Sequence, residues 1–211
     1  MRHIDRLITK YASTSLGENQ QPEYEALDQI SQWSLGDQLI GLLCLRNGFF
    51  AFESSLHLFP IDTDYSMNIL AWNDRRLWKQ HYSLGLPDFY CFGENIFGEQ
   101  FCTYEDHVCR FDPETGEMEQ LAPSIEAWAE MILEDCNLYT GYSLGHEWQI
   151  NNGPLDLGTR LVPRLPFVCG GEFAIRNLVA MDALEGMRSR ASLANQIHEI
   201  PDGCQIQFEI E

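Results

Sequence analysis

The stretch FYCFGENIFGEQFCTYEDHVCRFDPETGEMEQL, residues 89–121, decides the fold class. Four short runs rich in aromatic, β-branched and thiol side chains (Phe89 to Phe92, Glu99 to Tyr104, His107 to Phe111 and Glu117 to Leu121) alternate with turn residues, the pattern of an antiparallel meander. In the link Asp112-Pro113-Glu114-Thr115-Gly116, Pro113 supplies the fixed φ of a type I turn and Gly116 a positive φ, so the last hairpin is well specified.

Working outward, Ile4, Leu7, Ile8 and Tyr11 stand at helical spacing, and the polar stretch Ser13 to Pro22 reads as a loop. Leu35 to Leu45 reads as a helix with Ser34 as N-cap and Asn47-Gly48 as its stop. Phe49 to Phe52 and Leu56 to Phe59 form a buried hairpin pattern around Glu53-Ser54-Ser55, and residues 67–82 a half-buried helix. After the meander, Ser124 opens a helix with Ile125, Trp128, Ile132 and Leu133 inward, and a second helix runs from Leu138 to Ile150. Strands around Thr159 to Val162 and Phe173 to Leu178, a helix from Asp182 to His198 and a terminal strand Cys204 to Ile210 complete the chain. The expectation is an α+β fold: a central, mostly antiparallel twisted sheet with flanking helices, plus a C-terminal β-α-β extension. One domain is expected over residues 1–211, with a core at about 30–150 and the extension at about 154–211 packed on it.

Of the 211 residues 45% are apolar and 21% charged, enough to bury a sizeable core. The opening residues Met1 to Lys10 lack the apolar run of a secretory signal. The longest apolar run, Leu39 to Leu45, falls far short of the roughly 20 residues that cross a bilayer. Seven cysteines, an odd number without a Cys-x-x-Cys pair, read as reduced thiols. A cytoplasmic protein with no membrane association is therefore expected.

The net charge is −19, which repels nucleic-acid phosphates and anionic membranes and makes a basic protein the natural partner. Solubility alone is the competing explanation. The excess is uneven: residues 85–137 hold 13 Asp or Glu against the single cation Arg110, a net −12.

Motifs that carry chemistry are mostly missing. His146-Glu147 lacks the second histidine of a zinc-protease helix, because Ile150 stands in its place. Cys102, His107 and Cys109 are close enough in sequence to suggest a thiol–imidazole pair, but on a hairpin His107 and Cys109 share one strand face and the thiols read as buried strand residues. The glycines at 93, 98, 170 and 171 match no phosphate-loop pattern. No enzyme, catalytic residue, metal or cofactor is expected. The candidate partner-binding residues are Glu94, Glu99, Glu105, Asp106, Glu126, Glu130 and Glu134; the last three, at four-residue steps, read either as a docking face or as a solvated helix face.

Taken together, Leu45-Arg46-Asn47-Gly48-Phe49-Phe50-Ala51-Phe52, Phe92-Gly93-Glu94-Asn95-Ile96-Phe97-Gly98 and Arg110-Phe111-Asp112-Pro113-Glu114-Thr115-Gly116-Glu117, followed by Ile125-Glu126-Ala127-Trp128, resemble the SUKH superfamily, more narrowly its Smi/Knr-type branch. The segment from Pro163 onward, with Phe167 to Phe173, resembles the extension of a longer bacterial subgroup. The resemblance implies an immunity protein that neutralises a basic, nuclease-type toxin domain encoded nearby. The alternative it leaves open is a regulatory or scaffold protein of the same fold. It supplies no catalytic residue.

Overall fold

A computed structural model describes residues 2–17, 24–61, 67–201 and 203. Among them the strands β1 (Ala12–Ser15), β2 (Phe49–Ala51), β3 (Leu56–Leu58), β4 (Tyr90–Asn95), β5 (Gln100–Tyr104), β6 (His107–Phe111) and β7 (Met118–Ala122) form one sheet in chain order. Every neighbouring pair is antiparallel. The meander expected from residues 89–121 is its centre and one margin, and the hairpin β2–β3 extends it.

Helices α1 (His3–Lys10), α2 (Tyr24–Ser31), α3 (Gly36–Leu45), α4 (Ile69–Trp72), α5 (Ile125–Glu134), α6 (Cys136–Thr140), α7 (Tyr142–Asn152) and α8 (Ala183–Ile197) flank the sheet. A smaller sheet pairs β8 (Thr159–Pro163) with β9 (Leu178–Asp182). The architecture is thus α+β with a central antiparallel sheet.

Both sheet faces are covered. Phe101 lies opposite Arg110 in the β5–β6 ladder, so Phe111, one residue on, points to the other face. On one side Phe101 and Phe92 meet the Trp128 ring of α5 at 5.3 and 5.1 Å. On the other, Phe111 packs against Phe89, Trp78 and Tyr82. The apolar side of α8 (Ala183, Met187, Ala191 and Ala194) belongs to this same core, so α8 completes it. A satellite cluster of Ile96, Phe97, Leu155, Leu161 and Leu178 sits under the β8–β9 sheet.

Several expectations are corrected. Part of the Ser13 to Pro22 loop is strand: β1 runs on to Ser15, which pairs with Phe49, giving the β2 edge a neighbour for its backbone groups. Ser34 does not cap α3; Leu35 precedes the helix at φ 53, and the Ser34 hydroxyl accepts the Asp106 N–H at 2.8 Å. The helix expected over 67–82 breaks after Trp72, leaving only a 3₁₀ turn at Lys79–His81. Asn73 is the cause, because its amide donates to Cys91 O and accepts from Cys91 N, bonds to β4 that capture it. The helix expected from Leu138 divides at Gly141, φ 70, where a Cβ would lie 2.4 Å from the Phe97 ring. Residues 173–177 are loop and 3₁₀ turn, so the described part of the extension runs β-β-α. The terminal strand Cys204 to Ile210 lies outside the described residues.

Candidate functional site

The seven candidate acids do not form one surface. Glu94 is corrected outright: it is fully buried and cannot dock a partner. β4 and its neighbours turn its carboxylate inward, where Oε1 accepts from Arg160 Nε at 2.6 Å and His57 Nδ1 at 3.0 Å, and Oε2 accepts from Gln100 Nε2 at 3.1 Å. Gln100 in turn accepts the Trp72 indole N–H at 2.7 Å. A buried carboxylate survives only when paired and hydrogen-bonded, and this network supplies both. Burial alone favours the protonated form of Glu94, but Arg160, His57 and Gln100 outweigh it and hold the carboxyl below its usual range.

Burial likewise pushes His57 down to about 4, against the opposing pull of Glu94. Since an ionised carboxylate only accepts, neutral His57 carries its proton on Nδ1. The unfolded chain then binds a proton at this histidine below pH 6.5 that the folded chain refuses until about pH 4. Stability is complete above 6.5 and falls as pH drops through that window, by about 3 kcal/mol from this group. Glu99 and Glu114, both raised by burial, act in the opposite sense. Urea unfolding between pH 7 and 4.5 should therefore show a steeper pH slope for the parent chain than for His57→Phe. Equal slopes would refute the assignment.

Glu126 is half-buried and accepts the N–H groups of His3 and Ile4, closing the start of α1. The His3 ring also lies 3.7 Å from Glu130. Glu130 and Glu134 are exposed on α5, and Glu105 and Asp106 are exposed at the β5–β6 turn, in left-handed conformation at φ 45 and 59.

Glu99 alone enters a cleft. Its carboxylate accepts from Asn95 Nδ2 at 2.6 Å and lies 3.4 Å from Arg110, which also binds Glu119 at 2.6 Å. The cleft, about 210 Å³, opens where the β4–β5 turn, the β6–β7 turn, the loop after β8 and α8 meet. Its lining brings Asp112 and Glu114 together with the rings of Phe97, Phe167 and Phe173. Phe167 and Phe173 stack at 3.9 Å with ring planes 3° apart, and Phe97 meets both edge-on. Phe173 is 69% exposed. Glu114 is buried and accepts the Val168 N–H at 2.9 Å, tying the aromatic segment to the β6–β7 turn. At the back, buried Arg190 donates to Phe97 O at 2.6 Å and Gly186 O at 2.9 Å.

Apart from Glu99, sequence reasoning missed this cleft. Asp112 and Glu114 read as turn residues, Phe97 and Phe167 as members of the runs that carry the family resemblance, and Phe173 as the start of a strand. The one signal available was that each phenylalanine lies beside or near glycine, where chain reversal brings side chains to a rim.

The thiol–imidazole pairing is not formed. Burial pushes Cys91 up to about 12, Cys102 well above its ordinary value and Cys109 upward, all against the thiolate that nucleophilic attack needs. His107 instead engages Glu105 O at 2.8 Å. The ring of His146 binds Glu53 at 2.6 Å. Among the described residues no group of three or more His, Cys, Asp or Glu could hold a metal ion, and no helix is long and apolar enough to cross a membrane.

No protein-family model matches the chain, and no curated protein matches it. Among solved structures, the crystal structure of Atu4351 from Agrobacterium tumefaciens is similar, with a TM-score of 0.56 at 14% identity, covering 89% of this chain and 87% of that one. Coverage that wide cannot be confined to residues 30–150, so the likeness in fold takes in at least part of what lies outside them.

Proposed function

We propose that this chain works by binding rather than by catalysis, as a cytoplasmic immunity protein that neutralises a basic, nuclease-type bacterial toxin domain. The observation that carries the reading is where the acids lie. Of the 13 acids in residues 85–137 only Glu94 and Glu114 are buried, leaving eleven at least partly exposed carboxylates in a segment whose one Lys or Arg is Arg110. They include Glu117 just before the edge strand β7 and Glu119 on it, Glu130 and Glu134 on α5, and Glu105 and Asp106 at the β5–β6 turn.

A nuclease presents cations to its phosphate substrate, and an acidic margin of this kind complements that surface with fast, salt-sensitive association. Burial that favours the protonated form of the Cys91 and Cys102 thiols, and the resemblance of the quoted runs to the SUKH superfamily, support the same reading.

The reading predicts a basic secreted domain encoded beside the gene, and the test uses that domain. Co-expression of the chain is expected to protect cells from it, and the purified pair to form a complex that weakens steeply with salt. The exposed double reversal Glu130→Lys/Glu134→Lys should slow association about tenfold while leaving unfolding unchanged. Absence of both protection and complex would overturn the reading. Recovery of an endogenous partner instead, from a gene neighbourhood without secreted effectors, would favour the regulatory or scaffold alternative.

A further inference from the structure

We infer that the cleft between the β6–β7 turn and the Phe167–Phe173 stack is the seat of a guanidinium group, an arginine side chain of the partner laid on the Phe173 ring with its N–H groups toward Glu99 and Asp112. The proposed function identifies who supplies the arginine; the site itself stands on its own geometry.

The charge balance selects a cation. Among the described residues that line the cleft, Glu99, Asp112 and Glu114 stand with a single cation, Arg190, while Arg110 reaches Glu99 from outside the lining. Arg110 is committed to Glu99 and Glu119. Arg190 makes no ion pair among the described residues, and its Nε and Nη1 are spent on backbone carbonyls. It is also fixed in place: Gly98, φ 75, leaves Nη2 room that a Cβ, 2.7 Å away, would deny. Arg190 therefore braces the back wall and has little capacity left to receive an anion.

The aromatic wall selects a flat cation. The face of a phenyl ring attracts cations, and a guanidinium stacks on it while keeping its edge donors for carboxylates. Phe173 is 69% exposed, yet held parallel to Phe167 at 3.9 Å, with Phe97 edge-on to both. The platform is built before any ligand arrives, because Glu114 fastens Val168 and the adjoining Phe167 to the sheet. A cleft of about 210 Å³ lined by both acids and phenyl rings leaves room for one side-chain head group rather than a folded segment.

The probes are n-butylguanidinium and its neutral isostere n-butylurea, titrated into the full chain by amide-resolved NMR. Butylguanidinium is expected to saturate at about millimolar concentration, as suits so small a ligand, with shifts centred on Phe97, Thr115, Val168 and Phe173. Butylurea should leave these signals unmoved. Phe173→Ala and Glu99→Gln should each weaken binding by about fivefold, the size of a lost cation–π contact or charge-assisted bond. Equal binding of the urea, or full affinity in Phe173→Ala, would overturn the inference.

A second arm uses the toxin domain, where Phe173→Ala is expected to weaken the complex at least tenfold. If the complex forms and Phe173→Ala leaves it unchanged while the α5 reversal weakens it, the cleft is not the seat of a partner arginine, although the immunity reading stands. If no complex forms but butylguanidinium still occupies the cleft, the site stands and the immunity reading falls.

Discussion

Arg160→Met is expected to destabilise the chain by about 3–5 kcal/mol, because it strips the guanidinium from a fully buried carboxylate. Arg160 is the sole cation paired with Glu94 among the described residues besides the neutral ring of His57, at 2.6 and 3.0 Å. Without it Glu94 must either remain charged in an apolar setting or take up a proton, and both options cost free energy. The companion Glu94→Gln/Arg160→Met removes both charges and keeps an amide able to bond Gln100 and His57. It should recover most of the loss, since well-packed neutral replacements of buried ion pairs are often tolerated. Arg160 is imperfectly served in any case, its Nη2 having no partner among the described residues.

Urea unfolding of the two single variants and the double at pH 7 gives the coupling directly. Additive losses would refute the pairing. The pair also joins β4 to β8, 66 residues apart, so in Arg160→Met the amides of β8, β9 and α8 should exchange before those of β5 and β6.

The second large effect is at Trp128. It is fully buried and wedged edge-to-face against Phe92 and Phe101, the only tryptophan on α5. Trp128→Ala should cost about 3–5 kcal/mol through the cavity it opens. Trp128→Phe should cost less than about 1.5 kcal/mol, because the indole N–H has no acceptor among the described residues and deleting it relieves an unmet desolvation. Equal losses for the two substitutions would show that the N–H is satisfied after all. Because α5 carries Glu130 and Glu134, Trp128→Ala should weaken partner binding together with stability, whereas the charge reversals weaken binding alone. Measuring both properties on the same proteins separates a helix that docks from a helix that merely supports.

The meander was legible in residues 89–121 because its signals are local. Alternating apolar side chains, a Pro-to-Gly turn at 113–116 and a serine cap at 124 each act within a few residues, and Ser124 does accept the Ala127 N–H at 3.1 Å. The helix expected over 67–82 failed for the converse reason. Asn73, unremarkable in sequence, finds the backbone of Cys91 and exchanges helical bonds for bonds to β4.

The same division governs the site. Composition alone concentrated the negative charge in residues 85–137, and the exposed acids Glu105, Asp106, Glu130 and Glu134 lie where that concentration pointed. Glu94, identical to them in kind, became structural once Arg160 folded in from the extension. Glu99 was drawn into a cleft that residues 167 and 173 also line. The sequence by itself determined an acidic α+β chain with an antiparallel meander, since periodicity, turn chemistry and charge count need no distant partner. Only the tertiary structure decided which carboxylates face water, which one is neutralised in the core, and that three phenylalanines and three acids share a cleft. Burial and pairing depend on segments tens of residues apart, and no local pattern encodes that meeting.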